Sequence, residues 1–291
     1  MKTLRNCLLV VLSAVLVLTS CSKDDDKVVA NKEGILLVTF GSSYPEPQKT
    51  FTNIDTEVKK AVPATEVRWA YTSHIIRNIL LKKGMDIDSP EEALKKMKAD
   101  GYAKITVQSL HVIPGAEYND LIATIDAFKK ANPSIKVSLG TPLMTSEDDM
   151  STLADKLAEE FAAIKNNADE ALVFMGHGTH HEANNRYSQF QTIISAKAPN
   201  FFVGTVEANP DLNDVIALLE KAGIKTVTLT PLMSVAGDHA NNDMAGTEED
   251  SWKTILEAKG YTVKVVLKGL GDYNSVNSIW VNHLKTAKAA L

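Results

Sequence analysis

The stretch VFMGHGTHH, from Val173 to His181, joins an apolar run to a segment with two glycines and three histidines. Continuous apolar runs of this kind are typical of strands that are buried on both faces of a parallel sheet. The run ends at Gly176, His177 and Gly178, so backbone and imidazole groups would lie at the carboxyl edge of the sheet. Open α/β sheets bind ligands at that edge. The stretch therefore predicts a buried strand that ends at a ligand site.

Seven further apolar runs surround this strand, and segments with helical spacing separate them. The alternation predicts an α/β fold with mostly parallel sheets flanked by helices. The predicted strands cover residues 34–40, 67–71, 105–112, 135–139, 171–175, 201–206, 226–231 and 262–267. The predicted helices cover residues 48–62, 74–83, 90–100, 119–131, 146–165, 188–196, 211–222, 247–259 and 275–291.

Two pairs of segments indicate an internal duplication. TVQSLHVIPGAEYND aligns without gaps on TLTPLMSVAGDHANN and sets Glu117 against His239. LLVTFGSS aligns on ALVFMGHG and sets Ser42 against His177. Short apolar strands also match by chance, but the two matches follow the same order along the chain. Together they predict two similar lobes that face each other across a cleft.

The predicted lobes cover residues 34–145 and 146–291, and the last helix could pack back on the first lobe. Residues 1–20 have the pattern of a secretory signal, with two basic residues, an apolar run and small residues at its end. The sequence LTSC resembles a bacterial lipobox, which predicts lipidation of Cys21 after cleavage. Residues 21–33 are polar and charged, and they read as a tether.

The composition excludes several classes of chemistry. The only cysteines are Cys7 and Cys21, so the predicted lobes contain no disulfide, thiolate metal site or cysteine nucleophile. The formal charge of −5 becomes −7 when Lys2 and Arg5 leave with the signal, and no basic stripe indicates nucleic-acid binding. The glycine-rich signatures of nucleotide and dinucleotide sites are also absent from the sequence.

Three residues with metal-binding side chains each follow a predicted strand, namely His177, Glu207 and His239. They are separated by 30 and 32 residues, which suits one strand-helix unit per step. Right-handed crossovers bring the ends of successive parallel strands to the same sheet edge. Two imidazoles and a carboxylate there could hold a divalent first-row metal with open coordination positions.

Each of the three also has a purely structural interpretation. His177 could be satisfied by backbone groups, Glu207 could cap the following helix, and His239 could be an exposed loop residue. Their shared position after three strands favours the metal site. His180 and His181 are candidate substrate contacts, while the turn at Ser42 could contact an anionic group. The remaining histidines are predicted to be structural, and they are His74, His111 and His283. Of these, His111 is expected near the cleft, at the end of a strand.

Five long motifs resemble the anaerobic sirohydrochlorin cobaltochelatases of the CbiK type, which are class II chelatases. They are LLVTFGSSYPE, MGHGTHHEANNRY, VGTVEANP, PLMSVAGDHANNDMAG and GLGDYNSVNSIWVNHL, and the resemblance covers residues 34–291. It implies the two-lobed chelatase fold with an active-site cleft between the lobes. The signal and Cys21 would make this chain an exported lipoprotein member of that family.

The resemblance also implies the roles of individual residues. His177 would be a metal ligand and the catalytic proton acceptor, and Glu207 and His239 would complete the metal site. Glu117 would be an acid in the cleft that contacts the substrate. The substrate metal would be Co²⁺, although the His/Glu/His set also suits Fe²⁺, Ni²⁺ or Zn²⁺. No nucleotide is expected to take part.

The expected activity is insertion of Co²⁺ into sirohydrochlorin, as in anaerobic cobalamin biosynthesis. The export signal supports an alternative, in which a surface or periplasmic lipoprotein binds haem or removes its iron during haem uptake. The expected location is the cell envelope, with a lipid anchor at Cys21 on the periplasmic side or on the outer-membrane surface. The expected partners are a tetrapyrrole and a membrane, and the sequence leaves the choice between monomer and homo-oligomer open.

Overall fold

The computed structural model describes residues 32–291, so the predicted signal, Cys21 and most of the tether lie outside the described residues. The first strand begins at Lys32, two residues before the predicted start of the first lobe. Lys32 and Glu33 therefore belong to the folded part and not to the tether, because both pair with the third strand of the sheet.

The eight strands form two parallel sheets of four, with the orders β2-β1-β3-β4 and β6-β5-β7-β8. This arrangement confirms the predicted α/β fold of two similar lobes. The strands of the first sheet are β1 (Lys32–Thr39), β2 (Glu66–Tyr71), β3 (Tyr102–Ser109) and β4 (Lys136–Gly140). Those of the second are β5 (Glu170–Gly176), β6 (Phe201–Thr205), β7 (Thr226–Pro231) and β8 (Thr262–Val265).

Ten α-helices connect and cover the strands. They are α1 (Pro47–Ala61), α2 (His74–Lys82), α3 (Pro90–Ala99), α4 (Ala116–Ala131), α5 (Glu147–Glu160), α6 (Ala162–Lys165), α7 (Asn185–Lys197), α8 (Leu212–Ala222), α9 (Trp252–Ala258) and α10 (Asn274–Ala289). Two short 3-10 turns (Glu182–Asn184 and Leu270–Asp272) and one π-helical turn (Ala240–Met244) complete the described elements.

The largest hydrophobic core lies between the two sheets and joins the lobes. It contains buried residues of β1 and β5 together with Trp280 and Leu284 of α10. The last helix packs on β3, β4 and α1, so it covers the first sheet although it follows the second lobe in the chain. Because each sheet has helices on its outer face as well, β5 is buried along its whole length, and β1, β3 and β7 are buried except at residues near their amino ends.

Several predicted element boundaries were wrong, among them those of one strand and two helices. The predicted strand 105–112 leaves the sheet after Ser109, where its pairing with Val38 of β1 is the last in the sheet. The predicted helix 146–165 is interrupted at Phe161. The predicted helix 247–259 begins only at Trp252, because the buried side chain of Ser251 caps it by accepting from the N–H of Thr254.

The pairing of the strands corrects the predicted alignment of the two lobes. The sequence alignment set Ser42 against His177, whereas the sheet register sets Phe40 against His177, a shift of two residues. The glycines with positive φ then coincide, with Gly41 at +97° and Gly178 at +85°. The strand pairs that establish the shift are Val38 with Ser109 in the first sheet and Met175 with Pro231 in the second.

The same register relates the residues that follow the next strand of each lobe. The N–H of Ser73 donates to the carbonyl of Phe40 over 3.2 Å, as the N–H of Glu207 donates to that of His177 over 2.9 Å. The equivalent positions of the two lobes are therefore Phe40 and His177, Ser73 and Glu207, and Glu117 and His239. Within residues 32–291, no helix is both long enough and apolar enough to cross a membrane.

Candidate active site

A cavity of about 790 Å³ lies between the carboxyl edges of the two sheets. This volume falls in the usual range of small-molecule sites, about 300–1,000 Å³. Much of the wall is apolar, and the first lobe supplies Phe40 and three isoleucines of α2. The apolar wall residues are Phe40, Ile75, Ile76, Ile79, Val112, Ile113, Leu232, Met233 and Val235.

The end of β5 places His177 on the cavity wall. Gly176 is the last residue of the strand, and a Cβ there would lie 2.4 Å from the ring of Tyr187. Gly178 has a φ of +85°, and a Cβ there would lie 2.8 Å from the backbone nitrogen of Ala208. Glycines on both sides therefore allow a tight turn that projects the imidazole into the cavity.

Glu207 and His239 reach the same wall from the ends of β6 and β7. The backbone N–H of Glu207 donates to the carbonyl of His177, which ties the two strand ends together. Glu207 does not cap the next helix, since the side chain of Asp211 accepts from the N–H groups of Asn213 and Asp214.

The three predicted metal ligands converge. The Nε2 atoms of His177 and His239 are 3.1 Å apart, and Nε2 of His239 is 3.9 Å from Oε1 of Glu207. One ligand atom from each residue lies within 4.8 Å of the other two. Ligands about 2.1 Å from a tetrahedral ion are separated by about 3.4 Å. The observed separations are close to this value, so the three side chains could bind one ion and leave a fourth position open.

The hydrogen bonds of the two imidazoles orient both Nε2 atoms toward each other. Nδ1 of His177 lies 2.9 Å from the carbonyl oxygen of Gly178, which can only accept a hydrogen bond. Nδ1 of His239 lies 2.7 Å from a carboxylate oxygen of Asp243. Each Nδ1 therefore carries the proton in this network, and the two Nε2 lone pairs face each other. A cation between them removes that repulsion.

Asp243 is a functional residue that the sequence interpretation missed. It lies in the π-helical turn that follows His239, four residues along the chain. A carboxylate behind a metal-binding histidine fixes the tautomer and makes the ring a stronger ligand. The spacing of His239 and Asp243, one helical turn, is the signal that would have indicated this pair.

The other predicted contacts also line the cavity. Ser42 is buried in the turn after β1, and His180 and His181 follow the glycine turn of β5. His181 has a structural part as well, since its Nδ1 accepts from the N–H of Ala183. Its Nε2 lies 3.0 Å from the amide nitrogen of Asn119 in α4, so it bridges the lobes. Glu117, at the start of α4, completes the set on the first-lobe wall.

The three histidines predicted to be structural occupy different environments. His283 is structural, because its ring bonds to the carbonyl of Thr141 and to Asp149. His111 is buried but lines the cavity, since β3 ends before it and the chain turns toward the cleft. His74 is exposed at the first residue of α2.

A hydrogen-bonded contact joins the lobes at the mouth of the cavity. The hydroxyl of Tyr44 donates to Asp238 over 2.8 Å and accepts from the side chain of Asn242. The hydrogen bond to the carboxylate of Asp238 raises the pKa of Tyr44, so the phenol stays neutral and keeps the hydroxyl proton that it donates. The cavity lining contains no lysine or arginine among residues 32–291.

Comparisons with known proteins agree with this geometry. The family described as cobalt chelatase (CbiK) matches residues 33–289. The sirohydrochlorin cobaltochelatase CbiKC of Nitratidesulfovibrio vulgaris is 39% identical over 269 residues, which are 92% of this chain and 95% of that protein. The sirohydrochlorin cobaltochelatase of Salmonella typhimurium is 35% identical over 258 residues, 88% of this chain and 96% of that protein.

The chain belongs to the cobalt chelatase (CbiK) family. This membership confirms the family named from the sequence motifs. A solved structure with the same fold is SirB from Bacillus subtilis with Fe³⁺, at a TM-score of 0.62 and 16% identity. The similarity covers 89% of this chain and 97% of SirB. In this cobalt chelatase, the site at the ends of β5, β6 and β7 has the donor set that a transferable divalent metal requires.

Proposed function

We propose that this protein is a sirohydrochlorin cobaltochelatase, which inserts Co²⁺ into the macrocycle held in the cavity between the lobes. One observation carries the proposal: the facing Nε2 atoms of His177 and His239, with Glu207 beside them, lie on the wall of an apolar cavity. The two relatives named as sirohydrochlorin cobaltochelatases support this substrate and this metal.

The two lobes have different parts in the reaction. His177, Glu207 and His239 hold Co²⁺ through nitrogen and oxygen ligands, which release a divalent ion more readily than thiolates do. The apolar first-lobe wall packs on the ring and excludes water from it. Because no lysine or arginine of the described residues 32–291 lines the cavity, the carboxylates of the tetrapyrrole are left at the mouth, where water solvates them.

Insertion replaces two pyrrole N–H bonds by bonds from nitrogen to the metal, with no change of oxidation state. As Co²⁺ moves to the ring, Nε2 of His177 loses its metal bond and regains a lone pair. Imidazole is a suitable proton acceptor at neutral pH, so His177 takes one of the two protons. Neither ATP nor a redox cofactor is needed for this exchange.

The direct test uses the full chain purified in detergent. Sirohydrochlorin and Co²⁺ are mixed with the protein, and the absorption change is compared with the rate without protein. We expect acceleration by the wild type and at least a hundredfold loss for His177→Ala. Parallel assays replace Co²⁺ with Fe²⁺, Ni²⁺ or Zn²⁺ to rank the metals. No acceleration with any metal, together with tight binding of haem, would favour the haem-uptake alternative.

We also propose that the protein is anchored in the cell envelope through a lipid on Cys21. The basic residues, apolar run and LTSC sequence of residues 1–21 support this location. Labelled palmitate should enter the wild type and leave Cys21→Ala unlabelled, and the variant should leave the membrane fraction. A variant that stays labelled and membrane-bound would contradict the proposal.

A further inference from the structure

The loop after β3 places an unused histidine beside the acid of the first-lobe wall. Nε2 of His111 lies 3.7 Å from Oε2 of Glu117. We infer that His111 is a positioning residue, which holds the Glu117 carboxylate as the acceptor of the second pyrrole proton. This inference rests on the proposed function, since only metal insertion releases two protons from the ring.

The His111 side chain is nearly enclosed, yet one of its nitrogens lacks a partner. The residue is 8% exposed, and its Nδ1 lies 2.8 Å from Oγ of Ser109. Within residues 32–291, no group forms a hydrogen bond with Nε2 of His111. A buried nitrogen without a partner is costly, so a role at the site is expected. The carboxylate that faces this nitrogen is that of Glu117, at 3.7 Å, just beyond hydrogen-bond distance.

The surroundings of His111 decide which nitrogen carries the proton. Oγ of Ser109 accepts from the backbone N–H of His111 over 3.4 Å and lies 2.8 Å from Nδ1 of the ring, so we assign its hydroxyl proton to the bond with Nδ1. Nδ1 is then the acceptor, and the ring proton lies on Nε2. Burial lowers the pKa of His111 to about 4, so the ring is neutral near pH 7. His111 therefore offers a neutral N–H donor to Glu117.

The reaction needs an acceptor besides His177. Both N–H bonds of the ring break heterolytically, each electron pair stays on nitrogen, and one proton goes to His177. The Glu117 side chain is about half exposed, and it lines the cavity from the opposite lobe. Burial raises the pKa of Glu117, the charge of His177 lowers it, and those of Asp120 and Glu207 raise it. The net rise makes this carboxylate a better base for the second proton.

The distance of 3.7 Å is consistent with a protein that holds no substrate. Catalytic hydrogen bonds are often long in the free protein and shorten when the substrate binds. A macrocycle in the cavity would displace water from Glu117 and press its carboxylate toward His111. Protonated Glu117 can then pass its proton to water at the mouth while His111 keeps the carboxyl group in place.

This arrangement is specific to the first lobe. The positions equivalent to Ser109 and His111 are Pro231 and Met233 in the second lobe. Neither can donate a side-chain hydrogen bond as serine and histidine do. In that lobe, His239 stands at the position of Glu117 and is supported by Asp243 instead. Each lobe thus has its own polar support behind the residue at this position.

Two substitutions of His111 separate positioning from simple packing. In His111→Gln, the amide N–H can occupy the position of Nε2 and still donate to Glu117. In His111→Asn, the shorter amide reaches Ser109 but not Glu117. For the full chain in detergent, we expect kcat of cobalt insertion to fall about tenfold in His111→Asn and less than threefold in His111→Gln, with KM unchanged. His283→Asn, at a partly buried histidine outside the cavity, is the matched control and should leave kcat unchanged.

The pH profile and a double substitution test the route through Glu117. An N–H donor favours the charged carboxylate, so its removal raises the pKa of Glu117. The acid limb of the kcat profile should therefore move to higher pH in His111→Asn and stay in place in His111→Gln and His283→Asn. Adding His111→Asn to Glu117→Gln should cause no further loss of kcat.

A substrate-free measurement distinguishes this inference from the proposed function. A ¹³C NMR titration of the Glu117 carboxyl group should give a higher pKa in His111→Asn than in the wild type. A wild type that inserts no cobalt would contradict the proposed function. The titration would still show whether His111 donates a hydrogen bond to Glu117. Unchanged pKa of Glu117 in His111→Asn, or equal losses of kcat for the Asn and Gln variants, would overturn the inference.

Discussion

The two lobes have the same strand order but carry different side chains at the same three strand ends. The second lobe has His177, Glu207 and His239, while the first has Phe40, Ser73 and Glu117 at the equivalent positions. All six residues line the cavity. The duplicated fold thus supplies the geometry twice, and the side chains give the second lobe the proposed metal ligands and the first lobe a mostly apolar wall with one acid.

The supporting residues differ in the same way. Behind the second-lobe ligands are acceptors for the imidazole N–H groups, namely the carbonyl of Gly178 and the carboxylate of Asp243. Around the first-lobe positions are the isoleucines of α2, of which Ile75 is 60% exposed. The two second-lobe imidazoles are thus oriented by hydrogen-bond acceptors, whereas in the first lobe Glu117 has a polar residue behind it, His111.

The largest effect is expected on Co²⁺ binding, when Glu207 and its first-lobe counterpart Ser73 are substituted in separate variants. Glu207→Ala removes the charged ligand and should weaken Co²⁺ binding at least a hundredfold, as measured by calorimetry. Ser73→Ala should leave Co²⁺ affinity unchanged and cost about 1 kcal/mol of stability, because Ser73 caps α2 by accepting from the N–H of Ile76. Equal losses of affinity for both variants would contradict the functional difference between the lobes.

The next largest effect is expected on Co²⁺ binding, when the hydrogen-bond acceptor at Nδ1 of His239 loses its charge. Asp243→Asn removes the charged acceptor at Nδ1 and should weaken Co²⁺ binding about 10- to 100-fold. Asp250→Asn, an exposed acid in the loop before α9, is the control for a simple loss of negative charge. If both variants weaken binding to the same extent, the long-range charge and not the hydrogen bond determines the affinity.

The glycine turns test the structural similarity of the lobes. Gly41 and Gly178 both have positive φ, and an added Cβ would lie 2.3 Å from the ring of Tyr71 or 2.8 Å from the backbone of Ala208. We expect each alanine substitution to lower the free energy of unfolding by about 2 kcal/mol, as measured with urea. Only Gly178→Ala should also weaken Co²⁺ binding. A loss of Co²⁺ affinity in Gly41→Ala would show that the first turn also shapes the metal site.

The smallest effect tests the helix that joins the lobes. Lys104 and Lys288 hold the pKa of Glu33 at about 2, and Lys288 lies on α10. The depressed pKa stabilises the fold above the unfolded value of about 4.3. This contribution is lost as the pH falls through about 2. The stability difference between wild type and Lys288→Ala should therefore shrink from pH 5 to pH 2, and salt should reduce it because the pair is partly exposed.

A stability difference that stays constant over this pH range would contradict the ion pair as its cause. Lys285→Ala, a substitution on the same helix at a residue without a described ion pair, provides the control. Its unfolding free energy should show no corresponding dependence on pH.

The sequence patterns predicted all eight strands and the three ligands at the ends of β5, β6 and β7. They did not predict which residues of the two lobes are equivalent. A shift of two residues keeps every side chain of a strand on the same face, so the apolar pattern fits both alignments. Only the hydrogen bonds between neighbouring strands select Phe40, and not Ser42, as the counterpart of His177. The sequence placed His111 near the cleft but inside a strand predicted to reach residue 112, whereas β3 ends at Ser109, where its pairing with β1 ends.

The sequence by itself determined the order of strands and helices, the glycine turns and the kind of ligand at each strand end. These features depend on local spacing and on the conformational freedom of single residues. The tertiary structure alone decided that Nε2 of His177 meets Nε2 of His239 across 62 positions of the chain, and that Asp243 and His111 stand behind opposite walls. Those relations depend on sheet register and lobe packing, which join segments that are far apart in the chain.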